Sequence, residues 1–317
     1  MNKSKSERHH WWPECVSQHW RGEDGGVTWI LPDGKDTRAK PASFGVIGNG
    51  HYIKLGVVSG EPTPWDQNFE SQFDQADTYF PSVIAWLEGL TYESRPDRPR
   101  RERFLPQPST DEMFARMIES VVSLAIRSPM TREACVSVAE HLRGPLPQRE
   151  RNSLITINMR DMHRLAVKDI GIRGKATAIL SPDAEFIFGD GFCHNFVSPS
   201  GTPSSPRIIV PLTPRLAVLY ARPMQYSTEP RLSTLVINAD EALSLNRLIQ
   251  VYAKDKIFFR SEKPDLTEEY TRNKHMELRG PSIVESLIHS MPGVPDRDTS
   301  LDFLSWRLSK DGRASNT

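Results

Sequence analysis

The stretch Lys175 to Phe196, KATAILSPDAEFIFGDGFCHNF, limits the fold most, because a β-prone apolar run ends there on an acid held between two glycines, Gly189-Asp190-Gly191. Ile179, Leu180, Phe186, Ile187 and Phe188 are strand formers and Ser181-Pro182-Asp183 is turn chemistry, so residues 175 to 188 read as a hairpin. The second strand is apolar at consecutive positions, which predicts cover on both faces and a place inside a sheet. Glycine on each side of Asp190 allows another group to approach closely. A carboxylate at the end of such a strand suits site chemistry, since the strand is rigid and the loop beyond it open. The plainer alternative is that Asp190 caps a turn or accepts backbone N–H bonds.

At 317 residues the chain can bury a large core without staples. Its 40 basic and 40 acidic side chains cancel, so no global field draws it to nucleic acid or anionic lipid, and only a local patch could do so. Cys15, Cys135 and Cys193 lie far apart and form no CxxC, which argues against a disulfide framework or a cysteine zinc site and fits a reduced cytoplasm. No apolar run approaches a membrane span, and MNKSKSERHHWWPE lacks a signal-peptide core. The 25 prolines predict many short, stiff connections.

Taken in order, residues 1–8 read as a flexible lead-in, and residues 9–262 as a single α+β domain. His9-His10-Trp11-Trp12-Pro13, with His19 and Trp20 close behind, concentrates imidazoles among aromatics, where each needs a hydrogen-bond or metal partner. A packed, hydrogen-bonded pair beside a helix started by Pro13 is the alternative to a site. Residues 9–60 are β-rich: Val27 to Leu31 and Asp36 to Lys40 flank the turn Pro32-Asp33-Gly34-Lys35, and Phe44 to Leu55 reads as further strand. Residues 64–171 read as wholly helical. Thr63-Pro64-Trp65-Asp66 opens a helix whose Trp65, Phe69, Phe73, Ala76 and Phe80 form a core stripe, with Glu70, Asp74 and Asp77 on the adjacent one. Those acids repel one another unless something positive covers them, and are either a solvated face or a cation-facing one. Arg95 to Arg103 reads as a solvated linker or, through Arg95, Arg98, Arg100, Arg101 and Arg103, a phosphate-contacting loop for nucleic acid.

Ser109-Thr110-Asp111-Glu112 is a capping box before a helix with Phe114, Met117, Ile118, Val121, Val122 and Ala125 on its apolar face. Pro129 ends it, Thr131 caps a second helix to about Leu142, and a third runs from about Arg149 to Asp169. Residues 175–262 supply strands at 208–212, 216–220, 235–237 and 257–259 and one helix capped by Asn238 or Asp240. Residues 263–317 form a polar extension with one helix, Pro281 to Ser290. The fold class expected is α+β: a mixed, largely antiparallel sheet built from N-terminal and C-terminal strands, with the central helical block packed on it.

His9-His10-x-x-Pro13, the apolar-acid pairs Phe69-Glu70 and Phe73-Asp74, the strand Phe186-Ile187-Phe188-Gly189-Asp190, the turn Pro211-Leu212-Thr213-Pro214, and Leu245-Asn246 through Ala253 to Phe258 follow one another in an order that resembles bacterial proteins catalogued as domain of unknown function 4238. The resemblance spans roughly residues 8 to 262. Glu14 and Cys15, and Gly191 and Phe192, depart from the pattern, the second pair altering the loop beyond Asp190. The likeness implies the order of elements and flags His9, His10 and Asp190, but brings no reaction.

Two functions follow as expectations. In one, His9, His10, Glu70, Asp74 and Asp190 hold a divalent metal that activates water for phosphoester hydrolysis, with Asp190 and His10 as the catalytic pair. In the other, a non-catalytic binding or sensor domain uses the histidines and the aspartate as a buried network that fixes the N-terminal segment. The sequence has no HExxH, phosphate-binding loop, GxSxG or dinucleotide fingerprint, and Cys193-His194 is only a remote nucleophile.

Overall fold

A computed structural model describes residues 8–40, 44, 46–48, 52–53, 67–68, 71–196, 204–274 and 282–295. The N-terminal part contributes β1 (Arg8–His10), α1 (Glu14–Ser17), β2 (Val27–Ile30), β3 (Asp36–Ala39), β4 (Val46–Gly48), β5 (Tyr52–Ile53) and β6 (Gln67–Asn68). The middle contributes α2 (Ser71–Glu88), a 3₁₀ turn at Arg100–Arg103, β7 (Leu105–Gln107), α3 (Asp111–Arg127), α4 (Pro129–Arg143) and α5 (Gln148–Ile170). The last part runs β8 (Lys175–Leu180), β9 (Phe188–Gly189), β10 (Cys193–His194), β11 (Arg207–Pro211), β12 (Leu216–Ala221), β13 (Leu232–Val236), α6 (Ala239–Tyr252), β14 (Ile257–Phe259), α7 (Glu268–Thr271) and α8 (Ile283–Ser290).

The α+β class and the largely antiparallel pairing hold, with the strands divided between two main sheets. One has the order β10-β11-β12-β8-β13-β7, in which only the β8–β13 pair is parallel. The other, β3-β2-β14-β9, joins N-terminal and C-terminal strands and is antiparallel throughout. Strand alternation sorts the larger sheet's side chains. Leu216, Val218 and Tyr220 face the core shared with the helical block, whereas Ala217, Leu219 and Ala221 face the core shared with α6 and α8. That sheet is therefore covered on both faces, which is why its strands are buried at nearly every position.

Residues 175–188 are not a hairpin. Strand β8 lies in the larger sheet, and after an irregular Ser181–Ile187 the chain enters β9 at the edge of the smaller one. Phe186, Ile187 and Phe188 are buried as expected, but the cover comes from other elements rather than from flanking strands. Ser181 and Phe186 give their amides to Arg215 and Pro214 of the β11–β12 turn, so a local pairing was outcompeted by a distant one.

In the helical block, Thr63 to Asp66 lie outside the described residues. Gln67–Asn68 is strand and the helix begins at Ser71. Phe73, Ala76 and Phe80 of the expected stripe are buried, while Trp65 and Phe69 lie outside the described residues. Helix α2 runs on through Pro81, which cannot bond the Asp77 carbonyl four residues back. The Cys15 thiol donates to that carbonyl at 3.7 Å, docking α1 on α2.

Thr110 caps α3, and the expected apolar face is buried throughout. The cap of α4 is Ser128 rather than Thr131, with Pro129 as its first residue. The block is not wholly helical either, since β7 leaves it to pair with β13. Asn238 and Glu241 form a capping box on α6. Tyr270 of α7 bonds the Ile30 carbonyl, and α8 buries Val284, Leu287 and Ile288 in the α6 core.

Candidate functional site

The two tryptophans after the histidine pair carry the N-terminal segment onto the smaller sheet. Trp12 stacks on Phe188 at 4.1 Å between ring centroids and 9° between planes, and meets Phe258 at 4.5 Å and Trp20 at 5.6 Å. Trp11 lies 6.5 Å from Phe188. His9 and His10 therefore enter beside the strand that leads to Asp190; their backbones pair with Ile47 and Val46, and their side chains lie outside the described residues. Glu70 also lies outside the described residues. Asp74 is exposed in the first turn of α2. Of the five residues expected to share a metal, only Asp190 and Asp74 have described side chains, and no contact joins those two.

Asp190 is 1% exposed, and its carboxylate faces the end of α6. Oδ1 accepts from the amides of Lys254 at 2.7 Å and Asp255 at 3.2 Å, and Oδ2 accepts from Asp255 at 3.0 Å. Its own amide donates to Lys256 O, and its carbonyl accepts from Met130. Asp190 thus clasps β9 to the α6–β14 turn and to the start of α4. Burial pushes its carboxyl up to about 6, against the amides that favour the charged form. The flanking glycines serve this clasp. A Cβ on Gly191 would stand 2.0 Å from the Tyr252 carbonyl oxygen, and one on Gly189 would stand 3.2 Å from Ile249 and Ala253.

Cys193 and His194 project to opposite faces of β10. Cys193 joins the α6 core, while the imidazole of His194 meets the Thr131 hydroxyl at 3.1 Å. The Phe196 amide donates to Nδ1, so the neutral ring carries its proton on Nε2 and gives it to Thr131, which in turn donates to Ala125 O. Burial pushes His194 down to about 4. None of the three cysteines is in a disulfide.

A second polar group lies between α2, α3 and α5. Arg127, 1% exposed, makes a bidentate pair with Asp77, Nη1 to Oδ2 at 3.1 Å and Nη2 to Oδ1 at 2.5 Å. Its guanidinium lies over Phe73, 4.8 Å from the ring centroid, and the His163 ring stands edge-on to the same ring at 4.9 Å. Ser120 bonds the Ala76 carbonyl across the α2–α3 contact. His163 Nε2 and Ser123 Oγ are buried and have no hydrogen-bond partner among the described residues. Burial first, and the Arg127 charge second, push His163 down to about 4.

No protein-family model, curated protein or solved structure matches the chain.

Among the described residues, no three His, Cys, Asp or Glu side chains are grouped to hold a metal ion, and no helix is long and apolar enough to cross a membrane. The arginine segment is anchored at its C-terminal end, where Arg103 is buried, while Arg98 and Arg101 are exposed. Arg103 pairs with Glu241 at 2.7 Å and donates to Val236 O, Arg100 reaches Glu241 and Ser286, and Arg101 donates to the carbonyls of His289 and Val294. Arg95 and Arg98 bond Glu93 and Glu102. The sequence reading missed Arg127, His163 and Ser123. Their signal was present: Ser120, Ser123 and Arg127 recur at steps of three and four within the apolar face of α3, and His163 interrupts the stripe Ile155, Met159, Ala166, Ile170 of α5.

Proposed function

We propose that the chain is a non-catalytic binding or sensor domain whose recognition site is the polar group between α2, α3 and α5. The observation that carries this reading is the unmet hydrogen-bonding capacity of His163 Nε2 and Ser123 Oγ beside the buried Arg127–Asp77 pair. Each buried, unpartnered polar atom costs about 1–3 kcal/mol and calls for a physical account, of which a bound ligand is one. The shifted imidazole next to a specific charge also marks such places. The saturation of Asp190 by backbone amides supports a fastening role for that carboxylate.

A second reading is the metal-dependent hydrolase of phosphoesters or nucleic acid. It is favoured by the stacking of Trp12 on Phe188, which brings the His9-His10 segment to the strand ending at Asp190. A divalent metal would then sit on His9, His10, Glu70, Asp74 and Asp190, with Asp190 and His10 acting on water. Nucleic-acid contact through Arg95 to Arg103 would require those guanidiniums to leave Glu93, Glu102, Glu241, Ser286 and the α8 carbonyls. Elemental analysis of the purified protein, wild type beside His10→Ala and Asp190→Ala, separates the two. The binding reading expects no stoichiometric metal and a lowered Tm for Asp190→Ala. A stoichiometric metal lost from both folded variants would overturn it.

A further inference from the structure

We propose that the interhelical site takes a carboxylate, held by Arg127 in place of Asp77; this rests on the binding-domain reading. Arg127 is the fixed half of the pair, since its side chain is 1% exposed, lies over Phe73 and donates through Nε to the Ser123 carbonyl. Asp77 is the movable half. Its side chain is 34% exposed, and among the described residues its carboxylate accepts hydrogen bonds only from Arg127. Because Arg127 is buried, leaving its guanidinium without a carboxylate is costly, so the partly exposed Asp77 can give way only to another acid that takes the same place.

An incoming carboxylate reproduces the planar, two-bond fit that Asp77 shows with the guanidinium. Two further buried polar atoms, Ser123 Oγ and His163 Nε2, belong to residues that touch Arg127 or its ring partner Phe73, and have no hydrogen-bond partner among the described residues. Ser123 and Arg127 are four residues apart on one face of α3, and His163 shares the Phe73 ring with Arg127. The His163 ring has no partner fixing its tautomer at Nε2, so that nitrogen can carry the proton and donate. Asp77, tethered beside the site, is a built-in competitor at high effective concentration and sets how weakly a free acid binds.

Side-chain NMR of His163 in the full-length chain tests this, with acetate and a short peptide bearing a free C-terminus as probes and chloride at equal ionic strength as reference. A saturable shift is expected with a carboxylate, about tenfold tighter in Asp77→Asn and about tenfold weaker in Ser123→Ala, each change being one charge-assisted hydrogen bond or its release. A response to acetate assigns a small acid, and a response to the peptide alone assigns a chain terminus. Absence of any carboxylate-specific shift in folded wild type and folded Asp77→Asn overturns the proposal, as does equal affinity of Asp77→Asn and wild type. If Asp77→Asn does not fold, equal affinity of Ser123→Ala and wild type overturns it. Metal content is a separate measurement, so failure of the binding-domain reading is told apart from failure here.

Discussion

Acid should loosen the helical block through His163, and the size of the effect follows from where the ring sits. The imidazole is 5% exposed, edge-on to Phe73 and close to the Arg127 charge, with no acceptor at Nε2 to stabilise an imidazolium. Its pKa falls from 6.5 to about 4 on folding. The unfolded chain therefore binds a proton between these values that the folded chain refuses, so stability is intact above about pH 6.5 and is lost as pH falls toward 4. The full shift corresponds to about 3 kcal/mol, of which about 2 kcal/mol is lost by pH 5.

Urea unfolding at about pH 7.5 and about pH 5, on wild type and His163→Gln, measures this directly, since glutamine keeps a polar side chain but does not titrate. Wild type should lose about 2 kcal/mol more than the variant between the two conditions. His194, also held neutral, adds an acid loss of the same sign to both proteins. Asp190, with its carboxyl raised to about 6, acts in the opposite sense, its contribution growing as pH falls from about 6 toward 3.8. Both cancel in the comparison. Equal losses in wild type and His163→Gln would refute the reasoning, because the ring would then be protonating as it does in water.

Gly191→Ala should cost about 3 kcal/mol or abolish folding, because the new Cβ meets a backbone carbonyl at 2.0 Å rather than a side chain that can rotate away; thermal unfolding checks it. Asp190→Ala should lower stability by about 3 kcal/mol by orphaning the amides of Lys254 and Asp255, and hydrogen exchange should rise at those two amides before others. Glu241→Leu should destabilise by about 3 kcal/mol, since it leaves the Arg103 guanidinium buried without its carboxylate; equal urea midpoints would contradict the strap. Lys175→Met should weaken the fold by about 2 kcal/mol, because Nζ bonds the carbonyls of Ser227 at 2.8 Å and Pro230 at 2.5 Å; denaturant unfolding reads the loss.

Local chemistry was enough for much of the layout. Apolar periodicity placed α3, stop residues placed α5, turn residues placed the β2–β3 and β11–β12 hairpins, and of the two cap candidates for α6, Asn238 and Asp240, the structure takes Asn238. The density of Trp11, Trp12 and Trp20 marked a burial point, and the glycines around Asp190 marked a close approach. What approaches was beyond reach: the carbonyl of Tyr252 and the amides of Lys254 and Asp255 lie more than 60 residues further along the chain. Lys175–Phe188 failed as a hairpin for the same reason, its strands finding partners in two different sheets. Arg100, Arg101 and Arg103, polar by composition, became a strap across α6 and α8 only because those elements supplied Glu241, Ser286 and backbone carbonyls, whereas Arg95 and Arg98 stayed on local acids.

Sequence by itself determined most of the long helices and their apolar faces, because those depend on neighbours within a turn or two of chain, while the short strands Gln67–Asn68 and Leu105–Gln107 and the break at Ser181–Ile187 depended on distant partners. Tertiary structure alone decided which polar groups meet, setting Asp190 on backbone amides and His163 beside Arg127, because a buried charge or imidazole is tuned by whatever distant element is packed against it.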